Sequence, residues 1–224
     1  MDTLLKNTLN DVIENHWDNW LVTKKKKSHI VNYKHSFVDD GMDFEELFLF
    51  KLGRSYDSSL GTLWEKILWE TSVQYNDDTF SKNEKLVIDL KVGDKKWIVD
   101  LGFLRKNKYS LIELKLGGQL DNKKSKVEKG TLKDRKDILS EIVDKPISTY
   151  LGIVTNQLSK SPETWDKSTV LKEFNRDQLL IEKQLFDYVS GVNGYFEWIK
   201  SEIQPLTINK WISVKNEYKS HMGV

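Results

Sequence analysis

Between Trp97 and Gly118 the chain reads WIVDLGFLRKNKYSLIELKLGG, and this stretch does most to limit the possible fold. Lys96 to Phe103 alternates apolar and polar residues, as a half-buried strand does. Tyr109 to Leu116 is an apolar run, with Leu111, Ile112, Leu114 and Leu116 interrupted by Glu113 and Lys115. Arg105-Lys106-Asn107-Lys108 between them has the composition of a turn, so the simplest arrangement is an antiparallel hairpin. Successive strand side chains point to opposite faces, which puts Glu113 and Lys115 on one face. Ile112, Leu114 and Leu116 take the other, against a core. Asp100, near the end of the neighbouring strand, can reach the same patch as Glu113 and Lys115. Two carboxylates and one ammonium are therefore expected to converge at the end of an apolar hairpin.

Such a group suits a hard divalent cation with a lysine beside it. A magnesium-like ion takes oxygen ligands and keeps several waters, so one or two carboxylates suffice when phosphate oxygens complete its shell. The lysine can orient a water and offset charge building on phosphate. The reaction this chemistry fits is hydrolysis of a phosphodiester. A cross-strand ion pair on the wet face of a sheet would have the same three residues, so the surrounding segments carry the distinction. Asp89-Leu90-Lys91 repeats the acid-x-lysine spacing upstream, but no Gly-Gly follows it, and it ranks below Glu113-Leu114-Lys115.

The length of 224 residues suffices for one domain with a substantial core and a small appended lobe. Charged residues make up 31% and hydrophobic residues 38%, a composition expected of a soluble globular chain. No run of about 18 apolar residues occurs, so no membrane span is expected. The first residues lack the basic and apolar regions of a signal peptide. Without cysteine there are no disulfides and no thiolate metal sites, which fits a cytoplasmic protein. The net charge of +1 is low for a nucleic-acid binder, unless acidic residues are segregated from a basic cleft.

Residues 3 to 22 read as an amphipathic helix through Leu5, Leu9, Val12, Ile13, Trp17 and Trp20. Lys24, Lys25, Lys26 and Lys27 follow, either as phosphate contacts or as a solvated helix end. Met42 to Gly53 is a short helix or strand. Ser58 or Ser59 can cap a separate helix from about Gly61 to Val73, with Leu63, Trp64, Ile67 and Leu68 buried. Glu65 in its first turns can approach the acidic patch, although a glutamate near a helix N-terminus is favourable in any case. Leu86 to Leu90 is the expected first strand of a meander, turning at Gly93-Asp94. After Gly117-Gly118, Asp121 or Asn122 can cap a lysine-rich helix that Pro146 ends. Ile147 to Thr155 is a strand beside the hairpin. Leu171 to Val189 reads as largely helical with a break near Asn175, and Tyr195 to Ile203 as a further helix closed by Pro205. The tail from Thr207 is expected to complete a lobe or a dimer contact.

The order of helix, meander, Asp100, Glu113-x-Lys115, helix and strand resembles the PD-(D/E)XK nuclease superfamily, with Val99-Asp100 in place of Pro-Asp. SSLGTLWEKIL resembles the N-terminal helix of type II restriction endonucleases. ELKLGGQLDNKKSK resembles the form in which the catalytic lysine runs into Gly-Gly, and LLIEKQLFDYVSGVNGYFEWI resembles the C-terminal segment of the same group. Together these cover roughly Ser55 to Gln204.

The resemblance implies an α/β (α+β) restriction-endonuclease-like core: a central mixed β-sheet with a β-meander flanked by helices, plus N- and C-terminal helical segments. It implies one domain over 1–224, with an N-terminal DNA-contacting segment at 1–54, a catalytic core at 55–160 and a C-terminal helical segment at 161–224. The implied activity is site-specific, Mg²⁺-dependent cleavage of double-stranded DNA, with Mn²⁺ able to substitute, leaving 5′-phosphate and 3′-hydroxyl ends. Asp100 and Glu113 then hold the metal, Lys115 positions water and Glu65 assists. A palindromic target, a homodimer and a cognate DNA methyltransferase follow from the same likeness. Candidates for DNA contact are the lysines at 24–27, then Asn32, Lys34 and His35, then Gln119, Asn122, Lys123 and Lys124, and finally Asn156 and Gln157. The rival readings are a repair, nicking or junction-resolving nuclease on the same core, and a noncatalytic DNA-binding module.

Overall fold

The computed structural model describes residues 3–26, 44–80, 91–92, 95–96, 99–117, 122–155 and 173–223. The chain forms two compact units, Met1–Leu63 with Trp198–Val224, and Trp64–Glu197. No described helix is long and apolar enough to cross a membrane.

In the first unit, helix α1 (Thr3–Lys26) turns the expected stripe inward: Leu5, Leu9, Ile13, Trp17 and Trp20 are buried. The three- and four-residue spacing that suggests the helix also lines these side chains up on one side. Trp17 stacks on Tyr56 of helix α2 (Phe44–Tyr75), with ring centroids 5.7 Å apart and planes 6° from parallel. Trp211, from the last helix (Gln204–Met222), completes this aromatic cluster at 4.8 Å from Trp17. The tail therefore forms a helix that packs on α1, with Lys25 paired to its Glu217 and Lys6 paired to Glu202 just ahead of it, both at 2.5 Å. Pro205 opens that helix instead of closing the preceding one. Its missing N–H and fixed φ are harmless in a first turn.

α2 is one continuous helix where the sequence suggests a break with a serine cap. Ser58 is an ordinary helical residue whose carbonyl accepts a bond from Thr62 Oγ1 at 3.4 Å. Burial of Leu52, Leu63, Trp64, Ile67 and Leu68 along the helix outweighs the weak local preference of its serines and glycines.

The second unit is built on a five-stranded mixed sheet among the described residues. Its strands are β1 (Asp78–Phe80), β4 (Leu101–Arg105), β5 (Lys108–Gly117), β6 (Ile147–Thr155) and β7 (Leu179–Ile181), in that spatial order. β1, β4 and β5 pair antiparallel, and β5, β6 and β7 pair parallel. Helix α3 (Asn122–Ser140) makes the crossover that a parallel β5–β6 pair requires. Lys91–Val92 (β2) and Lys95–Lys96 (β3) form a separate two-stranded hairpin. The first hairpin strand thus starts at Leu101 and not at Lys96, and the edge strand beside it is Asp78–Phe80. The strand expected at Leu86 to Leu90, and Asp89 with it, lies outside the described residues.

The region read as helix from Leu171 to Val189 contains β7 and then helix α4 (Lys183–Ser190). Leu179, Leu180 and Ile181 pair with Leu151, Gly152 and Ile153, a nonlocal partner that helical periodicity does not register. Helices cover both faces of the sheet. Leu139 of α3 joins Phe80, Val99, Tyr109, Leu111 and Ile147 on one face. On the other, Leu185 of α4 lies against Gly152, and Trp64 of α2 meets Phe186 of α4 at 5.6 Å.

Phe80 lies across Gly102, its partner in the β1–β4 ladder. A Cβ on residue 102 would sit 2.1 Å from Phe80 Cε2, and Phe80 is only 1% exposed. Gly102→Ala is expected to lower stability by about 1–3 kcal/mol through overpacking. An unchanged thermal midpoint would show that the ring can move aside. In the first unit, Trp17→Ala is expected to cost about 3–5 kcal/mol, read from denaturant unfolding.

Candidate active site

The site begins at a two-residue turn. Lys106 and Asn107 both adopt left-handed backbone, with φ of 47° and 63°, the geometry that suits the twist of a tight hairpin. Asp77 accepts the Lys106 N–H at 3.0 Å and donates its own N–H to the Leu104 carbonyl at 2.9 Å. Arg105 is held by Asn76 Oδ1 at 2.7 Å and by the Tyr188 carbonyl at 2.6 Å. The turn sets the register from Arg105↔Lys108 to Leu101↔Ile112.

Asp100 lies one residue before that last pair. The Asp100 backbone has left the ladder, and its side chain takes over. Asp100 Oδ2 accepts the Leu114 N–H at 2.8 Å, between the two charged residues of β5. Alternation then divides β5 as the sequence predicts. Ile112 and Leu114 face Gly152 and Leu185, and Ser110 bonds to the Tyr188 hydroxyl at 2.8 Å on the same side. Tyr109, Leu111, Glu113 and Lys115 face α3.

That second face is covered, which the reading of a wet strand face does not anticipate. Glu113 is 7% exposed. Its Oε1 accepts from Lys115 Nζ at 2.9 Å and its Oε2 from Arg135 of α3 at 2.5 Å. Lys115 Nζ also pairs with Glu128 Oε1 of α3 at 2.9 Å. Beside them in the parallel register stand Leu151 and Ile153, which belong to an apolar cluster with Leu132, Phe174 and Leu179. A carboxylate buried there is tolerable only with such partners. Burial pulls the Lys115 amine below its ordinary value, but Glu113 and Glu128 outweigh it, and the net displacement is upward.

Sequence reasoning does not single out Arg135 and Glu128 as partners of the triplet, because Arg135 is one of many cations on α3. The signal is present in the spacing: Glu128, Leu132, Arg135 and Leu139 recur at four- and three-residue steps, and both leucines are buried. Lys126, Lys129, Lys133 and Lys136 form a neighbouring stripe. With Phe174 and Gln178 they line an open cleft of about 470 Å³.

The other sequence candidates are spread over several elements. Glu65 is half-buried on α2. Lys24 lies 6.0 Å from the centroid of the Trp20 ring, and Lys25 pairs with Glu217 of the last helix. Asn122, Lys123 and Lys124 open α3. Lys27, Asn32, Lys34, His35, Gln119, Asn156 and Gln157 lie outside the described residues.

As a cation site, Asp100, just before β4, and Glu113 of β5 offer hard carboxylate oxygens beside one backbone amide. This donor set fits a magnesium-like ion, which needs one or two carboxylates and fills its remaining positions with water and phosphate oxygen. Among the described residues no group of three or more His, Cys, Asp or Glu side chains is arranged to hold a metal.

A family model described as type II restriction endonuclease, HinfI, matches residues 68–204. Among curated proteins, none matches the chain. The matched span covers well over half of the chain and includes the five-stranded sheet, the hairpin, α3 and α4. The chain belongs to the HinfI family of type II restriction endonucleases, which are site-specific deoxyribonucleases.

Proposed function

We propose that Asp100, Glu113 and Lys115 are the catalytic group of this endonuclease, acting with Mg²⁺ on double-stranded DNA. The observation that carries this reading is the hydrogen bond from the Leu114 N–H to Asp100 Oδ2 at 2.8 Å, next to the Lys115–Glu113 pair at 2.9 Å. It ties the Asp100 carboxylate, just before β4, to the strand that carries Glu113 and Lys115. Restriction endonucleases generally use a divalent metal. In this reading Asp100 and Glu113 hold it, and Mn²⁺ substitutes for Mg²⁺. Such a cation, when bound, supplies Lewis-acid polarisation of the scissile phosphate.

The chain's own residues do the rest. Lys115 leaves Glu113 Oε1 to orient the attacking water and to offset charge on the phosphate. Glu65 assists as an additional water-holding acid. In-line attack by that water leaves a 5′-phosphate and a 3′-hydroxyl. The lysine stripe of α3 meets the DNA backbone, and the lysines at 24–27 with Asn32, Lys34 and His35 are further contact candidates. So are the polar residues at 119, 122–124, 156 and 157. A homodimer would cut a palindromic site once in each strand, and a cognate methyltransferase would protect the host's own copies.

Digestion of supercoiled plasmid in Mg²⁺ is expected to give discrete bands with 5′-phosphate ends. Lys115→Ala and Glu113→Ala are each expected to lower the cleavage rate by about a hundred- to a thousandfold while DNA binding persists. Full activity in either variant would reject the assignment. Asp89→Ala, at the repeated acid-x-lysine spacing, is expected to cut normally. For the lysine stripe, Lys129→Gln combined with Lys133→Gln is expected to flatten the salt dependence of DNA affinity. The slope of log K against log salt should fall by about 0.9 for each phosphate that the variant no longer neutralises.

A further inference from the structure

The charges around β5 form a chain of four: Arg135, Glu113, Lys115 and Glu128. Its links are unequal. The Arg135 side chain is 14% exposed and bonds Glu113 Oε2 at 2.5 Å. The Lys115 side chain is 24% exposed and divides its ammonium between Glu113 Oε1 and Glu128 Oε1, each at 2.9 Å. Glu113 therefore has one oxygen held by a planar, largely covered guanidinium and one shared with a more exposed amine. Lys115 can give up Oε1 and still keep an anionic partner. Arg135 is anchored on α3 in the buried Leu132–Leu139 stripe, so its guanidinium approaches from a helix face fixed by packing.

We infer that Arg135 and Glu128 are positioning residues for the cleavage reaction. Arg135 anchors Glu113 Oε2, so that Oε1 is the oxygen presented to the cation. Glu128 retains the Lys115 ammonium beside the site once Oε1 is taken. Neither residue touches the DNA or the reacting water in this scheme. The inference rests on the reading of Glu113 as a metal-holding residue and of Lys115 as catalytic. It adds a division of labour between the two oxygens of one carboxylate.

Binding of Mn²⁺ alone to the full chain, followed by loss of the free-ion electron paramagnetic resonance signal, separates the two levels. Glu113→Gln is the reference: if it leaves Mn²⁺ affinity unchanged, the metal reading itself fails. If Glu113→Gln abolishes binding, Arg135→Gln is expected to raise the apparent Kd about tenfold or more, as loss of a partner that orients a metal ligand does. Arg135→Lys, which keeps the charge but loses the fork, should fall between wild type and Arg135→Gln. An unchanged or lowered Kd in Arg135→Gln would overturn the role given to Arg135, a lowered one identifying it as a competitor of the cation. Should Arg135→Gln fail to melt cooperatively, Arg135→Lys decides by the same criterion. Glu128→Gln is expected to leave the Mn²⁺ Kd unchanged and to lower kcat by up to about a hundredfold at constant KM. Wild-type kcat in that variant would overturn the role given to Glu128.

Discussion

The turn at Lys106 and Asn107 sets β4 against β5, and everything chemical in the second unit follows from that register. A slip of one residue would exchange the two faces of a strand. Glu113 and Lys115 would then point at Leu185 and Gly152, while Ile112 and Leu114 would meet Arg135. The turn is fastened by groups from outside the hairpin: Asp77 on the Lys106 amide, and Asn76 and the Tyr188 carbonyl on Arg105. Phe80 lying over Gly102 adds a steric lock two residues from Asp100. A polar turn and one glycine thus determine where the acidic side chains appear.

Placing charge inside a sheet covered on both faces has a cost that the structure meets locally. Glu113 stands beside Leu151 in the parallel register, yet each of its oxygens receives a cationic donor. Removing one partner from a buried pair is far more damaging than removing both, because an uncompensated charge is left behind. This ties α3 to β5 electrostatically as well as through Leu139. The crossover helix is both the connection that makes β5 and β6 parallel and the source of the counter-ions.

Much of this is legible in the residues. Strand alternation places Glu113 with Lys115 and opposite Ile112 and Leu114, because a period of two is fixed by backbone geometry. β6, α1 and the buried stripe of α2 are readable for similar reasons. Three things are not. The unbroken α2 depends on burial along its length, whereas Ser58, Ser59 and Gly61 locally suggest a cap. β7 depends on pairing with β6, a partner far away along the chain. The partners of Glu113 are hidden because Arg135 and Glu128 sit among many charges on α3. Only their phase relative to Leu132 and Leu139 distinguishes them from the lysines around them.

α3 carries two charged stripes with different surroundings, one turned under the sheet and one lining the open cleft. They share a backbone but not a face. On the roles proposed for them, varying the outer lysines would tune how long the enzyme lingers on random genomic sequence, while the inner pair stays fixed. Fidelity and turnover would then be separately adjustable traits encoded in a single segment of 19 residues.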